Sequence, residues 1–462
     1  MRADQDRSPG AKLLLALLVA ALLSIPLFTV YLLVYDRQSQ SETARRSIAA
    51  GWGGPQTIAG PVLVIPFQDQ TSETVTEGGR QTTRIVPVWR ELTLAPETAA
   101  IETSVAPERR RRSIYEAVVY AAHVSGEARF ALPADLTRLG VAPERLAFDR
   151  AELRFGLADA LGLYGPPPRV MIGGVARDLQ PGKGPSETDG SGFFTWLDAE
   201  TIRASPLVAR FSYDFRGNGW LALDPQAGDT RWTVRSPWPS PSFQGGFLPV
   251  RSTVNARGFV AQYRIGNLAL GRALASAEPA QSAQSPATAG VRHIATTLND
   301  ADNLEARIQL VTPVDLYSQV NRSVKYGFLF IGFTFLAFLL FDVIGGVRVS
   351  TIEYLLVGAG LVLFFVLLLA FAEVIGFTPA YLLAATAIIG LLTAYSAAVL
   401  GSRRRAVFIL GLLVLLYAVL YILLSLEAFS LLIGSLLLFA ALALVMFLTR
   451  NIDWGQRREE LV

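Results

Sequence analysis

Hydrophobic positions along this 462-residue chain follow two patterns: long unbroken apolar runs near the ends, and alternation with polar residues between them. Leu13 to Tyr35 is one apolar stretch of 23 residues, and the C-terminal third holds five more, near 326–344, 354–372, 380–400, 406–426 and 429–449. A helix rising ~1.5 Å per residue needs about 20 apolar residues to cross the hydrocarbon core, so each run predicts a transmembrane helix. Between them Ala151, Leu153, Phe155 and Leu157 alternate with Glu152 and Arg154, and Phe211, Tyr213 and Phe215 with Ser212 and Asp214. Trp232 and Val234 alternate with Arg231, Thr233 and Arg235, and Phe259, Ala261, Tyr263 and Ile265 with Gln262 and Arg264. Period two predicts strands with one face buried and one wet. Asn218-Gly219, set between two such runs, predicts a tight hairpin turn. The expected architecture is a membrane protein with an N-terminal anchor helix, a large, mainly antiparallel, sandwich-like β domain over 52–325, and a C-terminal five-helix transmembrane bundle over 326–449.

Three stretches lack either pattern. QDQTSETVTEGGRQTT (68–83) reads as a long hairpin tip, DLQPGKGPSETDGSG (178–192) as a flexible loop, and ALASAEPAQSAQSPATAG (273–290) as a disordered insert. After Tyr35, DRQSQSETARRSIAA contains neither proline nor glycine before Gly51, so the first helix is expected to continue as a stalk to about 51. Trp52, Gly53, Gly54, Pro55, Gln56, Gly60 and Pro61 then form the candidate junction where stalk becomes first strand. A glycine-rich phosphate cradle is the sharper reading of this stretch, but such a cradle leads from strand into helix and this one runs the other way.

Composition fits the membrane reading, with 52% apolar and 17% charged residues. Arg2, Arg7 and Lys12 precede the first run as in a secretory signal, yet its apolar part is too long and no small-x-small cleavage site follows, which predicts a retained anchor. Basic residues collect in the N-tail (1–12), at Arg348, at Arg403 to Arg405 and in the C-tail (450–462), while the loops near 373–379 and 425–430 carry none. Because cytoplasmic loops accumulate Lys and Arg, both termini are expected in the cytoplasm and residues 36–325 outside. That exported part holds 31 basic against 29 acidic residues, a balance that speaks against nucleic-acid binding. The chain has no cysteine, which excludes disulfides and thiolate metal sites.

Little in the chain points to catalysis. Its two histidines, His123 and His293, have no partner at metal-ligand spacing, and the G-x-S-x-G, H-E-x-x-H and Walker motifs are absent. No catalytic, cofactor-binding or metal-binding residue is expected, no cofactor is implied, and the chain is not read as an enzyme. Arg109 to Arg112 is the strongest charge run; it reads as a solvated turn in preference to a grip on anionic lipid headgroups. Asp342, Glu353 and Glu373 fall near span ends and read as interfacial acids, not as a transport path. Thr386, Gly390, Ala394 and Ala398 form a small-residue stripe that permits close helix packing. In SPWPSPSFQGGFLP (236–249), Pro237, Trp238, Pro239 and Phe243 form a candidate interaction loop, with Trp238 as a core plug the preferred structural reading.

WGGPQTIAGPVLVIPF (52–67), SPWPSPSFQGGFLP (236–249) and the run from TPVDLYSQVNRSVKYGFLF through LGSRRR to LTRNIDW (312–454) together resemble the CreD family of bacterial inner-membrane proteins. The likeness is strong at both ends of the exported region and weak in its middle. It implies an inner-membrane location, control by the Cre two-component system and a part in cell-envelope integrity and the response to colicins and β-lactams; it implies no catalytic residues. The expected partners are the lipid bilayer and envelope proteins or lipids. The preferred function is binding or scaffolding in the envelope; the alternative is a transporter or membrane enzyme acting on an envelope lipid or glycan.

Overall fold

Helix α1 spans Pro9–Ala50 without a break, 42 residues with Pro26 inside. Its apolar half exposes Leu14, Leu17, Leu18, Leu22 and Ile25, while Val19, Leu23 and Val30 are buried. Gly51 follows the last helical residue, and the chain becomes extended at Gln56. The computed structural model describes residues 9–77, 80–112, 115–279, 304–311, 316–343, 350–400, 403–425 and 430–450. They divide into a β unit, Ala44–Pro313, and a helical unit, Met1–Thr43 with Val314–Val462.

Among the described residues the β unit holds seventeen strands. In chain order they are β1 (Gln56–Glu77), β2 (Arg80–Leu94), β3 (Thr98–Arg112), β4 (Tyr115–Phe130), β5 (Ala151–Leu157) and β6 (Arg169–Ile172). The two-residue strands β7 (Val175–Ala176) and β8 (Gln180–Pro181) precede β9 (Gly192–Leu197), β10 (Leu207–Asn218), β11 (Trp220–Asp224) and β12 (Asp229–Ser236). Last come β13 (Pro241–Gly245), β14 (Arg251–Asn255), β15 (Gly258–Gly266), the short helix α2 (Asn267–Leu270), β16 (Ala275–Pro279) and β17 (Ala306–Leu310). One sheet runs β13-β17-β11-β1-β5-β9-β8 with β2 and β16 attached through β1; the other runs β14-β15-β12-β3-β4-β10-β6-β7. Both contribute to one apolar core, in which Phe155 of the first sheet meets Phe211 of the second edge-on at 5.4 Å. Aromatic pairs of this kind add about 0.5–1.5 kcal/mol beyond the area they bury.

Two expectations change here and one is refined. The sheets are mainly antiparallel as expected, yet mixed, because β1 pairs parallel with β11 and β3 parallel with β12. Parallel neighbours need long crossovers, which strand alternation does not reveal. Asn218-Gly219 is not a hairpin turn: β10 pairs with β4 and β6 in one sheet, β11 with β1 and β17 in the other, so the pair is a corner where the chain changes sheets. The alternation in β5 does not mark a wet face, since all seven of its residues are buried.

Of the stretch 68–83, residues 68–77 and 80–83 lie in the β1–β2 ribbon, whose register runs from Leu63↔Leu94 to Glu77↔Arg80, while 78–79 fall outside the described residues. The stretch 178–192 contains β8 and a turn of 3-10 helix at Ser186–Thr188 closed by Thr188 N to Pro185 O and Ser191 N to Thr188 O bonds. Of the 273–290 stretch, residues 275–279 form β16 against β2; the remainder, from 280, falls outside the described residues.

The helical unit contains α3 (Leu316–Lys325), α4 (Gly327–Val343), α5 (Thr351–Ile375), α6 (Phe377–Leu400), α7 (Arg403–Ser425) and α8 (Ser430–Thr449). Four helical segments among the described residues are long and apolar enough to cross a membrane: Lys12–Ile48, Thr351–Ile375, Phe377–Val399 and Arg403–Leu424. The helices pack through an aromatic centre, with Phe364 against Tyr417 at 4.7 Å and Tyr381 Oη donating to the Tyr417 carbonyl at 2.7 Å. Gly358 lets Leu23 of α1 approach α5 more closely than any Cβ would allow.

Candidate functional site

The outward face of the nine-stranded sheet carries charge that is buried. On β1, β2 and β5 the residues facing away from the core include Val62, Val64, Glu91, Thr93, Glu152 and Arg154, and the 178–192 stretch covers part of them. Arg154 grips Glu91 with two parallel bonds, Nη1 to Oε2 at 3.0 Å and Nη2 to Oε1 at 2.9 Å. The same guanidinium donates to Glu152 Oε2 from Nε at 2.9 Å and Nη2 at 2.7 Å. Lys183, brought in by the covering stretch, donates to Glu152 Oε1 at 2.5 Å. Burial disfavours the Glu152 charge, but the bonds from Lys183 and Arg154 outweigh it and hold the carboxyl below its ordinary range. Bidentate geometry of this kind is the strongest form a guanidinium–carboxylate pair takes.

A second charged group stands nearby. Arg272, just after α2, donates to Asp224 Oδ1 at 2.5 Å and lies 3.5 Å from Glu187 Oε1 in the covering stretch. Burial pushes the Asp224 carboxyl up to about 6, against the pull of Arg272. Between the two groups opens a cavity of about 280 Å³. Its charged lining is Glu91, Arg154, Glu187 and Arg272; Val62, Val64, Pro185 and Leu274 supply apolar wall, and Thr93, Gln226, Ser186 and Ser276 neutral polar groups. No three histidine or carboxylate residues stand together as a metal site among the described residues. Charge of both signs, buried at Arg154 and half-buried at Glu91, Glu187 and Arg272, is dispersed around a concave space and suits recognition of a small polar molecule.

This site was not singled out by the sequence. Alternation assigned Glu152 and Arg154 to solvent, and nothing local to 178–192 says which face it covers. The signal that does exist is composition: Gly182, Gly184, Gly190 and Gly192 bracket Lys183 and Asp189, among the described residues the two non-glycine positions with positive φ, at 51° each. Such backbone is uncommon and marks a stretch whose course is imposed by its surroundings.

The residues that the sequence did mark fall elsewhere or at the edge of this site. Trp52 lies between two guanidinium groups, Arg110 at 3.9 Å and Arg216 at 4.2 Å from its ring, and its Nε1 donates to the Tyr120 carbonyl at 3.1 Å. The Gly53 carbonyl accepts from Asn218 Nδ2 at 2.6 Å, and Gly54 N donates to Asp159 Oδ2 at 2.8 Å. Gly53 sits at φ 129° with the Arg216 carbonyl 2.8 Å from where a Cβ would be, so a side chain is excluded. Pro55 leads into Gln56, which is fully buried and spends its amide on Asp159 and Arg216, donating to both carbonyls at 3.0 and 2.9 Å and accepting from Asp159 N at 3.1 Å. Gly60 and Pro61 lie where the β1–β5 register shifts, immediately before cavity residue Val62.

In the second marked loop Trp238 is a core residue, 8% exposed, with Nε1 donating to the Val311 carbonyl at 3.0 Å and Arg109 5.6 Å from its ring. Phe243 meets Phe259 edge-on at 5.9 Å, while Pro237 and Pro239 are exposed. The Arg109–Arg112 run ends β3 in register with β4; Arg109 and Arg110 stack on Trp238 and Trp52, and Arg111 pairs with Glu116 at 2.9 Å. His123 Nδ1 contacts Asp214 Oδ1 at 2.6 Å across β4 and β10; His293 lies outside the described residues.

In the helical unit Glu353 forms a capping box with Ser350 at the start of α5. Glu373 accepts from Tyr317 Oη at 3.2 Å and lies 4.0 Å from Arg37 Nε. Asp342 is in the last turn of α4, its side chain outside what is described. Thr386, Gly390, Ala394 and Ala398 are all exposed, and the buried face of α6 is instead Ala380, Tyr381, Ala384, Ile388 and Leu392. Among the described residues nothing lies within 4 Å of a Cβ at Gly390, and the buried face of the helix mixes small residues, Ala380 and Ala384, with large ones, Tyr381, Ile388 and Leu392.

The family described as "Inner membrane protein CreD" matches residues 8–455. The inner membrane protein CreD of Escherichia coli (strain K12) is 30% identical over 443 residues, covering 94% of this chain and 91% of that protein.

Proposed function

Because this chain belongs to the CreD family of inner membrane proteins, we propose that its β domain lies in the periplasm and supports cell-envelope integrity and the response to stress or antibiotics by binding, not by catalysis. The anchor helix and five C-terminal helices hold that domain at the bacterial inner membrane, with both termini cytoplasmic. The distribution of arginine supports this orientation. One observation carries the binding reading: the charge-lined cavity above β1, β2 and β5. Its ionised groups are engaged in ion pairs with one another, an arrangement that fixes positions for recognition and leaves no strong base poised to attack. Envelope proteins or lipids are the partners this reading expects.

Site-specific photocrosslinking in cells tests it. A photoreactive residue at Ser276, on the cavity, should give a crosslinked species absent when the same residue replaces Arg231 on the other sheet. Equal crosslinking from both positions, or none from Ser276, defeats the reading.

A further inference from the structure

We infer that the cavity binds a small zwitterion, with an ammonium and a carboxylate, of amino-acid or dipeptide size. The inference rests on the reading of the cavity as the working site of the β domain and gives that site a ligand class. Charge balance comes first. Of the four charged side chains on the lining, Glu91 and Glu187 are acidic and Arg154 and Arg272 basic, so the walls present both signs in equal number. A phosphate or other free anion meets two carboxylates there as well as two guanidinium groups. A divalent cation meets the reverse, and no cluster of three carboxylate or histidine ligands stands ready for it among the described residues.

Position assigns the two ends. Asp224 engages Nη1 and Nη2 of Arg272, yet a guanidinium has five N–H donors in a fixed fork, so donors remain for a ligand carboxylate. Glu187 is held by two weak contacts, 3.5 Å from Arg272 Nη1 and accepting from Ser186 Oγ at 3.2 Å, and is the acid best placed to exchange the Arg272 contact for a ligand ammonium. Arg154 spends four of its five donors on Glu91 and Glu152 and serves as a rigid floor. Size and shape complete the argument. About 280 Å³ lies just below the range of drug-sized pockets, roughly 300–1,000 Å³, which fits an amino acid or dipeptide. The lining contains no aromatic ring to stack on a sugar face, while Val62, Val64, Pro185 and Leu274 offer room for a small apolar side chain.

Calorimetry on the full-length protein in detergent tests the inference, with alanyl-alanine as probe and N-acetyl-alanyl-alanine, alanyl-alanine amide, glucose and inorganic phosphate as comparators. Alanyl-alanine should bind saturably, and removal of either charge by acetylation or amidation should weaken binding at least tenfold. Glu187→Gln should weaken alanyl-alanine at least fivefold while leaving the acetylated peptide unchanged. Ala273→Trp, a substitution at an exposed lining position that fills the cavity, should abolish binding with the circular dichroism spectrum intact. No saturable heat with folded wild type, tighter binding of phosphate or glucose than of the dipeptide, or undiminished binding by Ala273→Trp would each overturn it. Any of these results leaves the Ser276 crosslink free to stand or fall by itself.

Discussion

Arg154 is the residue on which the outward face of the nine-stranded sheet depends. Two carboxylates, the buried Glu152 and the half-buried Glu91, are both held by this one guanidinium, with Lys183 adding a bond to Glu152. Arg154→Met should therefore cost about 3–5 kcal/mol, the usual penalty for stranding a buried charge, read as a lowered unfolding temperature of the detergent-solubilised protein. A shift within error of wild type contradicts the network as described. Asp224 gives a pH signature of opposite sense to the usual carboxylate. Its folded pKa, about 6, lies above the ordinary 3.8, so the native chain binds this proton more tightly and its contribution to stability grows as pH falls from 7 toward 4. Glu152 is depressed, so its contribution is present above its ordinary 4.5 and is lost only as pH falls through its lower folded value. Asp224→Asn should flatten the melting-temperature profile between pH 7 and 4.5; a variant as pH-dependent as wild type removes Asp224 from the account. At this scale the sequence was legible for Trp52 and Trp238, whose Gly and Pro neighbours mark constrained corners. It was silent on their partners, since Arg109 and Arg110 reach the two rings only because β3 ends beside both.

Among the elements, the 178–192 stretch decides whether there is a site at all. Its glycines and prolines declare turns in any sequence reading, but a turn's composition does not say what lies beneath it. Here Thr188 packs on Gly156 of β5 and Lys183 reaches Glu152, and that cover turns a wet face into a charged cavity. Gly184 is buried with the Ser191 carbonyl where a Cβ would stand. Gly184→Ala should loosen residues 182–191, seen as faster amide exchange there with protection in β3 and β4 unchanged; unaltered exchange in 182–191 counts against the cover's tight fit. The same blindness to tertiary context explains Asn218-Gly219. The pair supplies a positive φ at Gly219 as expected, yet the Asn218 side chain is spent on Gly53 and the flanking strands belong to different sheets. Alternation finds strands because side-chain period is local; sheet membership and parallel pairing are set by contacts far along the chain.

For the molecule as a whole, the apolar runs were the most legible feature, because a bilayer imposes a length that any reader can count; four of the six become helices long and apolar enough to cross a membrane among the described residues. The proposed orientation is open to a simple experiment in a chain without cysteine. A single cysteine replacing exposed Trp196 or Val254 should react with an impermeant thiol reagent in intact spheroplasts, and one replacing Arg404 should not. Reaction at Arg404 with silence at the other two reverses the topology. What no run or motif disclosed is the cavity on which the binding reading rests. Complementation of a deletion strain by full-length Ala273→Trp, present in the membrane at wild-type level, tests that claim most directly. The account predicts that this variant fails to restore the envelope phenotype, whereas a tryptophan at exposed Val254, far from the cavity lining, restores it. Full restoration by Ala273→Trp would contradict it.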